Sequence, residues 1–88
     1  MKLKMFVIRD AKAGAFLQPF FLLNEAMAIR SIEDCVADEG HMFSKHSQDY
    51  DLYRLGEYED QDGKVIPLDA PEHVVSCAQI KAKLNEDS

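Results

Sequence analysis

The chain has 88 residues, 47% of them hydrophobic and 30% charged, and a formal net charge of −6. A chain this short forms one domain that buries only about 60–65% of its unfolded surface, so pairing through a sheet edge is a natural source of extra stability. The composition excludes a disordered polymer, and the acidic balance excludes a generic nucleic-acid coat, because phosphate binding is dominated by basic neutralisation.

Lys2 to Arg9 reads as a strand, with Leu3, Met5 and Val7 on one face and Lys2, Lys4, Phe6 and Ile8 on the other. Asp10 to Gly14 forms the turn, and Phe16 to Leu22 a second strand. Pro19 removes a ladder donor, which places that strand at an edge or puts a bulge in it. Asn24 is a good N-cap, and Glu25 suits the positive end of a helix running to about Glu39. Ala28, Ile29, Ile32, Cys35 and Val36 form its apolar stripe, and Gly40 is a suitable stop.

His41 to Gln48 reads as a loop, and Tyr50 to Glu59 as a third strand in which Gly56 marks a bulge that shifts the alternation. Asp60-Gln61-Asp62-Gly63 is a hairpin turn, followed by a fourth strand over Lys64 to Leu68. Asp69-Ala70-Pro71 breaks the chain before a fifth strand, His73 to Cys77. Ile80 and Leu84 share helical spacing and suggest a frayed turn, with Asn85 to Ser88 disordered. The expectation is one α+β domain over residues 1–84: an antiparallel sheet of four to five strands with one helix packed on a face, ββαββ(β). A disordered tail, residues 85–88, follows.

Two cysteines are too few for a disulfide scaffold, so Cys35 and Cys77 read as reduced, buried thiols. Met1 is followed by short alternation and not by a secretory signal, and no apolar run is long enough to span a bilayer. A soluble, intracellular protein without membrane contact is expected.

Residue chemistry points away from catalysis. His41, His46, His73, Cys35 and Cys77 lack the close paired spacing of a metal site, so no metal or other cofactor is expected. Cys77 and His73 would share a strand face but stand about 13 Å apart, too far for proton transfer. The four glycines are isolated, so no phosphate-cradling loop is present. Carboxylates such as Glu57, Glu59, Asp60 and Asp62 read as the solvated rim of a hairpin. No enzyme is expected.

The charge is unevenly spread. Lys2, Lys4, Arg9 and Lys12 crowd the first strand and turn, whereas Asp49, Asp51, Glu57, Glu59, Asp60 and Asp62 crowd the later hairpin. Beside the basic strand, Phe16 and Phe20 alternate on the second, with Phe21 facing the other way. Sheets that hold single-stranded nucleic acid combine aromatic rings with basic residues, because bases stack and phosphates need neutralising. The plainer assignment puts the phenylalanines in the core and the tyrosines at its border.

The run Ile8-Arg9-Asp10, Lys12-Ala13-Gly14, Phe16-Leu17-Gln18-Pro19-Phe20, then Asn24 through Ala28-Ile29-Arg30, resembles the small nonstructural protein of the gokushovirus branch of the microviruses. So does Asp49-Tyr50-Asp51-Leu52-Tyr53-Arg54-Leu55-Gly56-Glu57-Tyr58, followed by Asp60-Gln61-Asp62-Gly63 and Pro67. The resemblance implies a non-capsid protein of a small single-stranded DNA bacteriophage, made in the bacterial host cytoplasm. It implies a role in viral DNA replication, at the switch from duplex to single-strand synthesis, and supplies no catalytic residues.

The expectation that follows is a non-enzymatic accessory protein that contacts single-stranded DNA weakly and a viral or host replication protein. Lys2, Lys4, Arg9 and Lys12 would neutralise phosphates, and Phe16 or Phe20 would stack a base. The alternative is a homodimeric protein-interaction module that engages a replication protein without binding DNA.

Overall fold

The computed structural model describes residues 1–86. Strand β1 (Lys2–Asp10) is central because it is apolar on both sides: Phe6 and Ile8 turn one way and Val7 the other, and all three are buried. One edge of β1 pairs antiparallel with β2 (Ala15–Phe16) and β3 (Phe20–Leu22), the other with β4 (Tyr50–Glu59). Strand β5 (Lys64–Ser76) pairs with β4 and completes a curled, five-stranded antiparallel sheet. This is the expected α+β class.

The expected second strand is split in two. Arg9 opposes Phe16, Phe6 opposes Phe20, and residues 17–19 between them leave the strand. Pro19 has no N–H to give, so the interruption falls where a ladder donor is missing. The expected fourth and fifth strands are one continuous strand of 13 residues. The ladder still breaks where the sequence suggested: Gly56 opposes Pro67 and Arg54 opposes Glu72, which leaves 68–71 without partners on β4.

Helix α1 (Glu25–Ala37) begins at the expected cap, where Asn24 Oδ1 accepts from Met27 N–H at 2.9 Å. It ends two residues before the expected Glu39. Asp38 leaves helical geometry, and its Oδ1 accepts from Gly40 N–H at 3.0 Å, so a local turn competes with the last helical bonds.

The expected loop at 41–48 contains a short helix, α2 (Met42–Lys45), and a 3-10 turn (Ser47–Asp49). His41 caps α2, its Nδ1 accepting from Phe43 N–H at 3.0 Å. A histidine used as an N-cap is not among the strong capping signals, so local sequence rules miss this element.

Helix α3 (Cys77–Glu86) replaces both the end of the expected fifth strand and the frayed turn. Ser76 and Gln79 bond reciprocally at its start, with Ser76 N–H to Gln79 Oε1 at 2.9 Å and Gln79 N–H to Ser76 Oγ at 3.0 Å. Asn85 and Glu86 are therefore helical rather than disordered. The remainder of the expected tail, 87–88, lies outside the described residues.

The helices share one face of the sheet. Phe6, Ile8, Tyr50 and Leu52 meet Ala28, Ile32 and Val36 of α1, Phe43 of α2, and Cys77 and Ile80 of α3. Lys81 Nζ donates to Ser44 O at 2.7 Å and ties α3 to α2. No described helix is long and apolar enough to cross a membrane. Among the described residues, no helix packs on the opposite face of the sheet.

Candidate nucleic-acid interface

Alternation along β1 sends Lys2, Lys4, Phe6, Ile8 and Asp10 to the helix side and Leu3, Met5, Val7 and Arg9 to the open side. Register carries that division to the neighbouring strands. Phe16 opposes Arg9, Phe21 opposes Met5, Asp51 opposes Arg9, Tyr53 opposes Val7, Tyr58 opposes Leu3, and His73 opposes Tyr53. All of these side chains belong to the open face.

Their rings form two groups. Phe16 meets Tyr53 edge-on at 5.8 Å between centroids, and Tyr53 meets His73 edge-on at 5.3 Å, making a row of rings from β2, β4 and β5 that passes over β1. Phe21 and Tyr58 form a second pair at 5.4 Å. The Arg9 guanidinium lies over the Phe16 ring, 5.9 Å from its centroid. Phe16 is 46% and Phe21 43% exposed, so both rings are available to a ligand.

The expected six-residue site does not form one surface. Arg9 and Phe16 meet on the open face, as just described. Phe20 is on the other side: its ring stacks on Phe6 at 6.0 Å and packs against the helix-side core. The interruption at 17–19 shifts the phase, so Phe21 and not Phe20 shares a face with Phe16. Lys2 and Lys4 also belong to the helix side, opposite Glu59 and Glu57. Lys12 stands apart in the turn, beside a shallow cleft lined by Asp10, Ala13, His46, Asp49 and Tyr50. Asp10 Oδ1 holds that turn by accepting from Lys12 N–H at 3.1 Å and Ala13 N–H at 3.2 Å.

Tyr53, Tyr58, Phe21 and His73 are the ring residues that sequence reasoning did not assign to the site. The available signal was the bulge. Tyr53 and Tyr58 are five apart and would face opposite ways on a regular strand. Leu55 has no partner on β1, because Met5 opposes Gly56 and Phe6 opposes Arg54, and this extra residue restores both tyrosines to one face.

Most of the hairpin's acid is kept from this face. Glu57 and Glu59 belong to the helix side, and Asp60 and Asp62 to the turn. Glu59 Oε1 and Asp60 Oδ1 accept from the Met1 ammonium at 2.8 and 2.7 Å, which holds both carboxyls below the usual carboxylate range. Asp51 is on the open face, with His73 Nε2 3.5 Å from its Oδ1, and alternation along β5 between Pro67 and His73 puts Asp69 there as well.

The thiols are quiet. Burial, then the nearby Asp51, pushes Cys77 up to about 12. Burial, with Asp34 and Asp38 adding to it, raises Cys35 as well. Neither has the depressed value of an activated nucleophile. Among the described residues, no group of three or more His, Cys, Asp or Glu side chains is placed to hold a metal ion.

Residues 3–80 match the family model described as Phage ORF5 protein. No curated protein matches the chain, and no solved structure does.

Proposed function

The chain belongs to this phage protein family, and on that premise we propose that it is a non-enzymatic accessory protein of a small single-stranded DNA phage of the gokushovirus type. It acts in the host cytoplasm, in viral DNA replication or the switch to single-strand synthesis, through contact with single-stranded DNA and with a replication protein. The observation that carries the DNA contact is the exposed Phe16 ring beneath Arg9, on a sheet face without helices. An unpaired base stacks on such a ring while the guanidinium meets its phosphate.

The test is fluorescence anisotropy of a labelled single-stranded oligonucleotide titrated with the 88-residue protein at low salt. Saturable binding that Arg9→Glu weakens supports the reading. Absence of binding at low salt overturns it.

One observation favours a second reading, a homodimeric interaction module that does not bind DNA. Strand β5 is at the sheet edge, with Val65 52% and Ile66 40% exposed, and an unpaired edge is a template for a second copy. That reading requires a melting temperature that rises with protein concentration and no affinity for DNA at moderate salt.

A further inference from the structure

Resting on the reading that this face meets single-stranded DNA, we infer that binding is led by base stacking and not by charge. The site comprises two stations, the Phe16–Tyr53–His73 row and the Phe21–Tyr58 pair. The corresponding stretch of β1, Leu3 to Val7, makes the stations roughly 13 Å apart at about 3.3 Å per residue. The ligand class is a flexible single strand with unpaired bases; a duplex hides the base faces these rings would engage.

Charge bookkeeping on the face supports this inference. Of the four basic residues at the start of the chain, only Arg9 is on the open face, and Asp51 opposes it across β4. Lys2 and Lys4 oppose Glu59 and Glu57 on the other side. With a net charge of −6, the molecule as a whole offers phosphate little attraction. The rings, in contrast, are already arranged. Edge contacts at 75° and 83° hold Tyr53 between Phe16 and His73, so little ordering is needed when a base arrives.

Segregation of charge also favours DNA over a protein partner with a basic surface. The surplus carboxylates that would attract such a partner are at the hairpin turn and on the helix side, away from the rings. What remains on the open face is the Arg9 guanidinium, the carboxylates of Asp51 and Asp69, a histidine facing Asp51, and aromatic surface.

The salt dependence follows directly. Each phosphate neutralised on a single strand contributes about −0.7 to the slope of log K against log salt. One open-face arginine therefore predicts a slope of about −0.7, where a site using Lys2, Lys4, Arg9 and Lys12 together would give about −2.8.

The experiment compares labelled oligothymidine with an abasic oligonucleotide of the same length, by anisotropy at several salt concentrations, using the whole chain. Oligothymidine is expected to bind at least about tenfold more tightly, as loss of a stacked base implies, with a shallow slope. Tyr53→Ala and Phe21→Ala should each weaken oligothymidine binding about tenfold or more, whereas the double variant K2E/K4E should stay within about threefold. Circular dichroism and sedimentation are recorded for every variant, and Tyr53→Phe, which keeps the ring, should restore affinity.

Equal binding of the two oligonucleotides, or a slope near −2.8, overturns stacking-led binding while leaving DNA binding intact. Absence of binding to either at low salt overturns the DNA reading itself. A Tyr53→Ala variant that changes from dimer to monomer yet keeps its DNA affinity assigns the face to a second copy and overturns the inference.

Discussion

Tyr53 and Tyr58 are five residues apart on one strand and yet share a face of the sheet, because Leu55 is absorbed as an unpaired residue beside Gly56. Gly56 makes this arrangement sterically feasible. A Cβ at that position would be 2.3 Å from the carbonyl oxygen of Ile66 and 2.8 Å from the Cα of Pro67, both backbone atoms of the neighbouring strand. The close approach of β4 and β5 and the phase of the aromatic face thus depend on one missing side chain.

Gly56→Ala should accordingly destabilise the protein by about 1–3 kcal/mol, the usual cost of forcing extra atoms into a packed site. Urea unfolding followed by circular dichroism measures it. Gly40→Ala is the control, since a Cβ there meets only Asp38 Oδ1 at 3.4 Å and should cost little.

Leu52 and Tyr53 are adjacent in sequence and opposite in role. Leu52 is fully buried in the helix-side core, whereas Tyr53 belongs to the open face. Leu52→Ala should cost about 2–5 kcal/mol of stability. Tyr53→Ala should lower the melting temperature far less, a contrast that one thermal denaturation series can check.

The Asn24 cap on α1 gives a third expectation. Asn24→Ala removes the acceptor for Met27 N–H and should cost about 1 kcal/mol, while Asn24→Asp, which keeps an acceptor, should be nearly neutral. Chemical denaturation midpoints distinguish the two.

The thiols predict an alkaline limit. An exposed cysteine loses its proton near about 8.5, but Cys77 in the folded protein keeps it up to about 12. Above about 8.5 the unfolded chain binds fewer protons at this site than the native one, so stability falls as pH rises toward 12. Tyr50, raised by burial and the nearby Asp10 and Asp49, adds to the loss in the same direction. Denaturant midpoints measured from pH 8 to 11 should decline, and iodoacetamide at pH 8 should leave Cys77 unmodified until the protein is unfolded.

Much of the architecture was legible in the residues. Alternation identified β1, the Asn24 cap opened α1, and the Asp60–Gly63 turn joined β4 to β5. Helix α2 is hidden because its cap, His41, is not a strong capping residue. Helix α3 has a legible start, the capping box Ser76-x-x-Gln79, but the Val74–Val75 run before it favours a strand that continues through Cys77.

The site was legible only in part, because a face is a property of register. Residue order alone tells which positions carry rings, where the basic strand lies, and that Gly56 and Pro19 disturb their strands. Tertiary structure decided how each disturbance is absorbed. Side chains alternate with a period of two, so one unpaired residue at Leu55 and three non-strand residues at 17–19 reassign every side chain beyond them. Those two shifts bring Phe16, Tyr53, Phe21 and Tyr58 together with Arg9 on the open face, and send Phe20 to the core.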